Sequence, residues 1–251
     1  MSLPPMVLLH GWGQSARCWH AQVGFFSSYA EVTALNLPGH GGAPDAPPAD
    51  WEKALLAAMP AEPVLLVGWS LGGMLAMRLA LSSPQRVAGL VLVGATPCFR
   101  TRPDWVHGCA DDVFERFRSG LGGDSDRLLG RFFALILQGD KLERRAYLDM
   151  VRSAVDRRHP ASRAGLEAGL ELLSQLDLRA EVADISVPTL LLHGEHDAVT
   201  PPAASDYLAS EIHGAHRVGM PSGHAPHLTC AQQFNAIVEE WCLNNISTRG
   251  M

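Results

Sequence analysis

Val64-Leu-Leu-Val-Gly-Trp-Ser-Leu-Gly-Gly73 is the stretch from which the rest of the chain can be read. Four aliphatic residues in a row describe a strand buried on both sides. Gly68-Trp69-Ser70-Leu71-Gly72 follows as G-x-S-x-G, and the apolar run Leu71–Leu81 reads as a helix. Between a strand and a helix, this motif lifts a serine hydroxyl clear of a sheet. Glycine is required at both ends because side chains at 68 and 72 would collide with neighbouring backbone. The serine then stands at a helix N-terminus, whose dipole favours developing negative charge. Ser70 is the candidate nucleophile.

Outward from this turn, short Val- and Leu-rich runs recur at Met6–His10, Val32–Asn36, Leu90–Val93, Thr189–His193 and His216–Met220. Amphipathic segments separate them: Ala16–Tyr29, Trp51–Met59, Pro202–Ile212 and Ala231–Asn244. Strand–helix alternation predicts an α/β protein, a mostly parallel sheet of about six strands with helices on both faces. From Cys98 to Asp184 the rhythm breaks. Four helical stretches, near 111–119, 125–138, 141–158 and 161–176, replace the strands. Residues 98–184 are therefore expected to form an inserted helical cap, with 1–97 and 185–251 as the core. The first strand begins almost directly at the start of the sequence, so no leading hairpin is expected.

Serine is a weak nucleophile at neutral pH and needs a base. On a turn of this kind the acid and then the base come later in the chain. Gly194-Glu195-His196-Asp197 follows the strand Thr189–His193, and Pro221-Ser222-Gly223-His224-Ala225-Pro226-His227 follows the last strand. Asp197 and His224 are the candidates, with Glu195 and His227 as alternatives. His193, His196, His213 and His216 are read as structural or solvated. An ester carbonyl also needs two N–H donors facing its developing oxyanion. Leu71, next after the serine, offers one. Trp12, in the loop His10-Gly11-Trp12-Gly13 after the first strand, offers the other, and its indole is placed to wall the substrate pocket.

The 251-residue chain is 47% hydrophobic and 18% charged, which is globular rather than disordered composition. Its net charge of −6 argues against nucleic-acid binding. Residues 101–180 nevertheless hold 13 of the 20 basic residues. Arg127 and Arg131 share a helix face, and Arg144, Arg145 and Arg152 follow on the next helix. Arginine pairs bidentately with carboxylate and phosphate, so this face suits an acidic partner. No run of 18 apolar residues or signal peptide is present, and the five cysteines have no C-x-x-C spacing. A cytoplasmic monomer with reduced thiols, off the membrane, is expected. The chemistry requires no metal and no cofactor.

Over nearly its whole length the chain resembles the α/β-hydrolase superfamily. His10-Gly-Trp-Gly, Gly68-Trp-Ser-Leu-Gly-Gly, Ala95-Thr-Pro-Cys-Phe, Gly169-Leu-Glu-Leu-Leu with Leu176-Asp-Leu-Arg, and Gly223-His-Ala-Pro resemble the pimeloyl-acyl carrier protein methyl ester esterases of biotin synthesis. The resemblance implies a serine carboxylesterase that releases methanol from a carrier-bound dicarboxylate. It assigns Ser70, Asp197 and His224 to the triad and places Trp12, Trp69 and Leu71 around the ester. It likens Phe132-Phe133-Ala134-Leu135-Ile136 to the acyl-channel lining and Ser125–Phe132 to the carrier-docking helix. One departure is the loop Asn36-Leu-Pro-Gly-His-Gly-Gly-Ala43, which lacks the usual leading Asp and closing Ser. Its internal hydrogen bonds are expected to be weaker. Other readings on the same scaffold are a general small-ester hydrolase, a carbon–carbon hydrolase, a thioesterase, or a non-catalytic ligand receptor.

Overall fold

The computed structural model describes residues 3–123, 125–140 and 142–246, the side chains of Ser125 and Asp126 apart. Six strands form a single sheet: β1 (Met6–Leu9), β2 (Val32–Leu35), β3 (Val64–Trp69), β4 (Val87–Val93), β5 (Thr189–Gly194) and β6 (His216–Met220). Their order is β2-β1-β3-β4-β5-β6, and every neighbouring pair is parallel. The interior strands β1, β3 and β5 are buried at every position, whereas the edge strands β2 and β6 are mostly half-buried. The unbroken apolar runs in the sequence belong to the interior because both of their faces are covered.

The connections are α1 (His20–Phe26), α2 (Trp51–Ala58) and α3 (Leu71–Ser82) in the first half, and α8 (Pro202–Glu211), α9 (Pro226–Thr229) and α10 (Ala231–Asn245) at the end. Helix α3 packs on β3 and β4, and α8 on β5 and β6. Between β4 and β5 lie α4 (Asp111–Gly120), α5 (Ser125–Ile136), α6 (Arg144–Ala154) and α7 (Arg163–Gln175). The two ends of this interval meet. Cys98 pairs with Asp177 in an antiparallel bridge, and Leu178 N–H donates to Pro97 O at 2.8 Å. Lys141, at the start of one anticipated helical stretch, lies outside the described residues, and α6 begins at Arg144.

The loop after β2 departs from expectation. Asn36 Oδ1 accepts from Ala16 N–H at 2.7 Å, and its Nδ2 donates to Gly41 O at 3.0 Å. An amide can accept at one end and donate at the other, so Asn36 ties the loop both to itself and to the segment after β1. The weakening anticipated from the missing Asp is not seen.

The turn from β3 into α3 is the tightest packing in the sheet. A Cβ on Gly72 would fall inside contact distance of Leu9 O and His10 O, and one on Gly68 would strike the backbone of Gly72 and Gly73. Neither obstacle is a flexible side chain that can rotate away. Gly72→Ala is expected to lower unfolding free energy by about 3 kcal/mol, at the upper end of overpacking costs. Urea denaturation of the variant against the parent checks this.

Candidate active site

Ser70 is the one non-glycine residue with positive φ among the described residues, at φ 56° and ψ −118°. A side chain held there stores roughly 1–3 kcal/mol of strain, which the surrounding backbone must enforce. Ser70 N–H donates to Val93 O at 2.9 Å, and the Ser70 carbonyl receives Gly73 and Met74 N–H. These bonds fix the turn. Leu71 is the first residue of α3, so its N–H has no intrahelical acceptor. Among the hydrogen bonds of the described residues, neither Leu71 N–H nor Trp12 N–H has a partner.

Asp197 and His224 meet as anticipated from their loops. His224 Nδ1 lies 2.7 Å from Asp197 Oδ2, and both side chains are fully buried. The carboxylate can only accept, so Nδ1 carries the proton. Nε2 is buried, has no hydrogen-bond partner and keeps an open lone pair. Burial alone would raise the pKa of Asp197. Attraction to His224, hydrogen bonds from His193 and His224, and the charge of His193 overcome it and hold the carboxyl far below its usual range. Val199 and Thr200 N–H groups also donate to Oδ1, each at 2.8 Å.

The alternatives are set aside by position. Glu195 is exposed. His227 is buried among Trp19, Trp69 and Phe234, with ring centroids at 4.2, 4.6 and 6.1 Å, and neither of its nitrogens is hydrogen-bonded. His193, read from the sequence as structural or solvated, is buried and bonded to Thr200 O. Its Nε2 reaches Asp197 Oδ2 at 3.1 Å. Nothing in the sequence marked it, because it sits inside a strand and looks like one more buried residue.

The residues assigned to substrate separate into different roles. Trp12 donates its indole N–H to Leu166 O of α7 at 2.9 Å, and its ring packs edge-on to Phe132 at 5.1 Å. Gly169 permits this contact, because a Cβ there would lie 2.7 Å from Trp12 Cδ1. Trp69 is placed differently from expectation. It donates its indole N–H to His224 O at 2.8 Å and packs against His224 and His227. It braces the loop that carries the imidazole and does not line the cavities described next. Phe132 and Leu135 line an apolar cavity of about 50 Å³ with Trp12, Phe117 and Leu170. Phe133 and Leu129 line a larger one of about 410 Å³ with Gly13, Tyr147 and Arg157. Helix α5 thus separates two spaces where a single channel was expected. Ala134 is exposed. Ile136 is fully buried, and its carbonyl accepts His224 N–H at 2.9 Å.

Arg127, Arg131, Arg144, Arg145 and Arg152 are all exposed, on α5 and α6. Arg144, Arg145 and Arg152 border one groove with Leu148 and Asp149. The side chains of Ser125 and Asp126, part of the docking stretch, lie outside the described residues.

Two further imidazoles hold the loop that carries Trp12. His10 Nε2 accepts Leu37 N–H at 3.0 Å and its Nδ1 faces Gly11 O at 2.8 Å. His40 Nε2 accepts Gly13 N–H at 3.3 Å and its Nδ1 faces Pro38 O at 2.9 Å. Each ring therefore carries its proton on Nδ1 only. Burial, then the neighbouring His40, lowers the pKa of His10 to about 3, and burial also lowers those of His40 and His227. The unfolded chain takes up these protons near pH 6.5, whereas the folded chain does so only at lower pH. More protons are bound when unfolded, so stability falls as pH drops below about 6.5, by about 1.4 kcal/mol per pH unit for each such histidine. Urea unfolding at pH 7 and pH 5 is expected to show this loss, and His10→Phe to reduce the slope.

The comparisons agree with this geometry. A model of the α/β-hydrolase fold family matches residues 4–230. The pimeloyl-(acyl-carrier protein) methyl ester esterase of Nitrosomonas europaea is 38% identical, over 92% of this chain and 92% of that protein. The enzyme of the same name from Aromatoleum aromaticum is 38% identical, over 96% of this chain and 98% of that protein. Among solved structures, an esterase from Exiguobacterium antarcticum superposes with a TM-score of 0.85 at 22% identity, covering 96% of this chain and 92% of that one. This last likeness bears on the fold alone. With a matching nucleophile turn, a buried carboxylate–imidazole pair and relatives aligned nearly end to end, the chain belongs to the α/β-hydrolase fold family and, within it, to the family of the pimeloyl-(acyl-carrier protein) methyl ester esterases.

Proposed function

We propose that this chain is a serine carboxylesterase that hydrolyses the methyl ester of pimeloyl-acyl carrier protein to the free acid and methanol. The observation that carries the reading is the buried Asp197–His224 pair, which leaves Nε2 of His224 without a partner, together with a serine held in a strained turn between β3 and α3. Names and full-length alignments of the relatives support the substrate.

In the proposed reaction, Nε2 of His224 takes the Ser70 proton as the hydroxyl attacks the ester carbonyl. Leu71 and Trp12 N–H groups stabilise the oxyanion, where one such donor is typically worth roughly 3–4 kcal/mol. His224 then gives its proton to the departing methoxide. It next activates a water that attacks the acyl-enzyme and frees Ser70. Asp197 keeps the imidazole in the Nδ1–H tautomer and stabilises its cation. Neither a metal nor a cofactor enters these steps.

The α4–α7 interval serves as a cap over this centre, and its basic face docks the acidic carrier. Arg127 and Arg131 on α5 and Arg144, Arg145 and Arg152 on α6 supply the charge. The larger cavity is on the scale of small-ligand sites, whereas the smaller has room for only a few water molecules. The larger one is therefore the better route for an acyl chain on a pantetheine arm. Five cysteines without a disulfide fit a cytoplasmic protein, proposed here to work as a monomer.

The test is a substrate panel: methyl esters of dicarboxylates, free and carrier-bound, against p-nitrophenyl esters of rising chain length. Preference for the carrier-bound methyl ester is expected. A preference for short p-nitrophenyl esters points instead to a general small-ester hydrolase. Ser70→Ala is expected to cut kcat by roughly 10⁴–10⁶ without unfolding the chain. Arg127→Glu with Arg131→Glu is expected to impair turnover of the carrier-bound ester and spare a small soluble one. Steady-state kinetics on both substrates check this.

A further inference from the structure

We propose that His193 is a positioning residue of this active site, which locks the Asp197 carboxylate in the orientation that serves His224. The inference rests on the reading of Asp197 and His224 as orienter and base.

His193 is the fifth residue of β5, directly before the glycine that opens the loop to Asp197. Its side chain is buried. Nε2 lies 2.8 Å from Thr200 O and 3.1 Å from Asp197 Oδ2. Both oxygens can only accept, because the carboxyl is ionised far below its usual range. Nε2 must therefore carry a proton, whatever the state of the other nitrogen; its hydrogen bond goes to Thr200 O, and the same N–H group lies at ion-pair distance from Oδ2.

The consequence is a carboxylate faced by four N–H groups, three of them in hydrogen bonds and that of His193 at ion-pair distance. Val199 and Thr200 N–H occupy Oδ1, while His193 and His224 share Oδ2. Three of the four come from the segment that carries Asp197 itself. Without His193 the loop amides still hold Oδ1, but Oδ2 answers to His224 alone. The strand-borne ring is the one donor to Oδ2 that stays in place while His224 exchanges protons. It also draws off part of the carboxylate charge that would otherwise fall on His224. The other titratable groups facing this cluster are Asp140, after α5, whose carboxyl burial pushes up, and His227 on α9, which burial keeps neutral. Both remain unchanged in the variants below.

The experiment uses the full chain and a p-nitrophenyl ester. His193→Phe keeps a ring and removes the donor. His193→Gln replaces the donor, because a glutamine amide nitrogen falls near the place of Nε2. His193→Asn is polar but carries its amide nitrogen near Nδ1 and cannot reach Asp197. For His193→Phe, kcat is expected to fall by roughly ten- to a hundredfold, the range for a lost hydrogen bond to a charged group. KM should stay within about twofold, because no substrate contact is lost. The acid limb of the kcat/KM profile should move to higher pH, because the undivided Asp197 charge favours the imidazolium. His193→Gln should recover most of kcat and return the limb towards that of the parent. Parental kcat and pH profile in His193→Phe overturn the proposal. So does a loss in His193→Gln equal to that in His193→Phe, which marks a packing role. If His193→Phe fails to unfold cooperatively in urea, the comparison of His193→Gln with His193→Asn decides, and equal activity in those two overturns it. Ser70 labelling of the parent by a fluorophosphonate tests the triad reading separately, so failure of one idea is distinguishable from failure of the other.

Discussion

The close approach of backbone to backbone at the end of β3 constrains everything built above it. Gly72 lies against the carbonyls of Leu9 and His10, so α3 starts where β1 ends. Ser70, two residues earlier, takes positive φ, and Leu71, as the first residue of α3, has an N–H with no intrahelical acceptor. The contact at Gly72 also sets the loop after β1, with Trp12, beside the serine. A Cβ on Gly11 would lie 3.2 Å from that of Ser70, so the loop after β1 and the turn after β3 are packed too tightly to hold side chains between them. The strain at Ser70 is tolerable because β3 and β4 are buried and hydrogen-bonded along their length.

Burial of charge is the second theme. Removing Asp197 from water opposes its ionisation, yet two backbone N–H groups and the imidazoles of His224 and His193 keep it ionised. His10 and His40 are treated in the opposite way. Burial keeps them neutral, and their single protonated nitrogens and lone pairs are spent on the backbone of the loops after β1 and β2. The same residue type therefore appears beside a buried carboxylate in His193 and His224 and as a neutral brace in His10 and His40. The surroundings decide which.

The interval between β4 and β5 is joined to the reacting groups by backbone atoms as well as by side-chain packing. The carbonyl of Ile136 in α5 holds His224 N–H, and the carbonyl of Leu166 in α7 holds the Trp12 indole. A shift of either helix is therefore felt at the imidazole or at the pocket wall.

Several features were legible in the sequence because they are local. The apolar runs predicted the interior strands, since a strand covered on both faces favours apolar residues along its length. G-x-S-x-G between a strand and a helix predicted the turn, since only glycine tolerates such contact. Asp197 and His224 were the first candidates from their loops, with Glu195 and His227 as alternatives, and packing is what brings the first two together. Other features depended on distances between segments far apart in the chain. The ring of His193 looked like ordinary core, and its bond to Asp197 exists only because the loop after β5 folds back over the strand. Trp69 adjoins the nucleophile in sequence, yet the pleat turns its indole towards the His224 loop. The residues of Phe132–Ile136 are contiguous, but helical rotation sends them to two cavities, to solvent and to the core. Composition and spacing determine which residue types are present and which elements they form. The direction each side chain takes, and which distant group it meets, is decided when the elements pack, because a hydrogen bond needs its two atoms within about 3 Å and chain order does not set that distance.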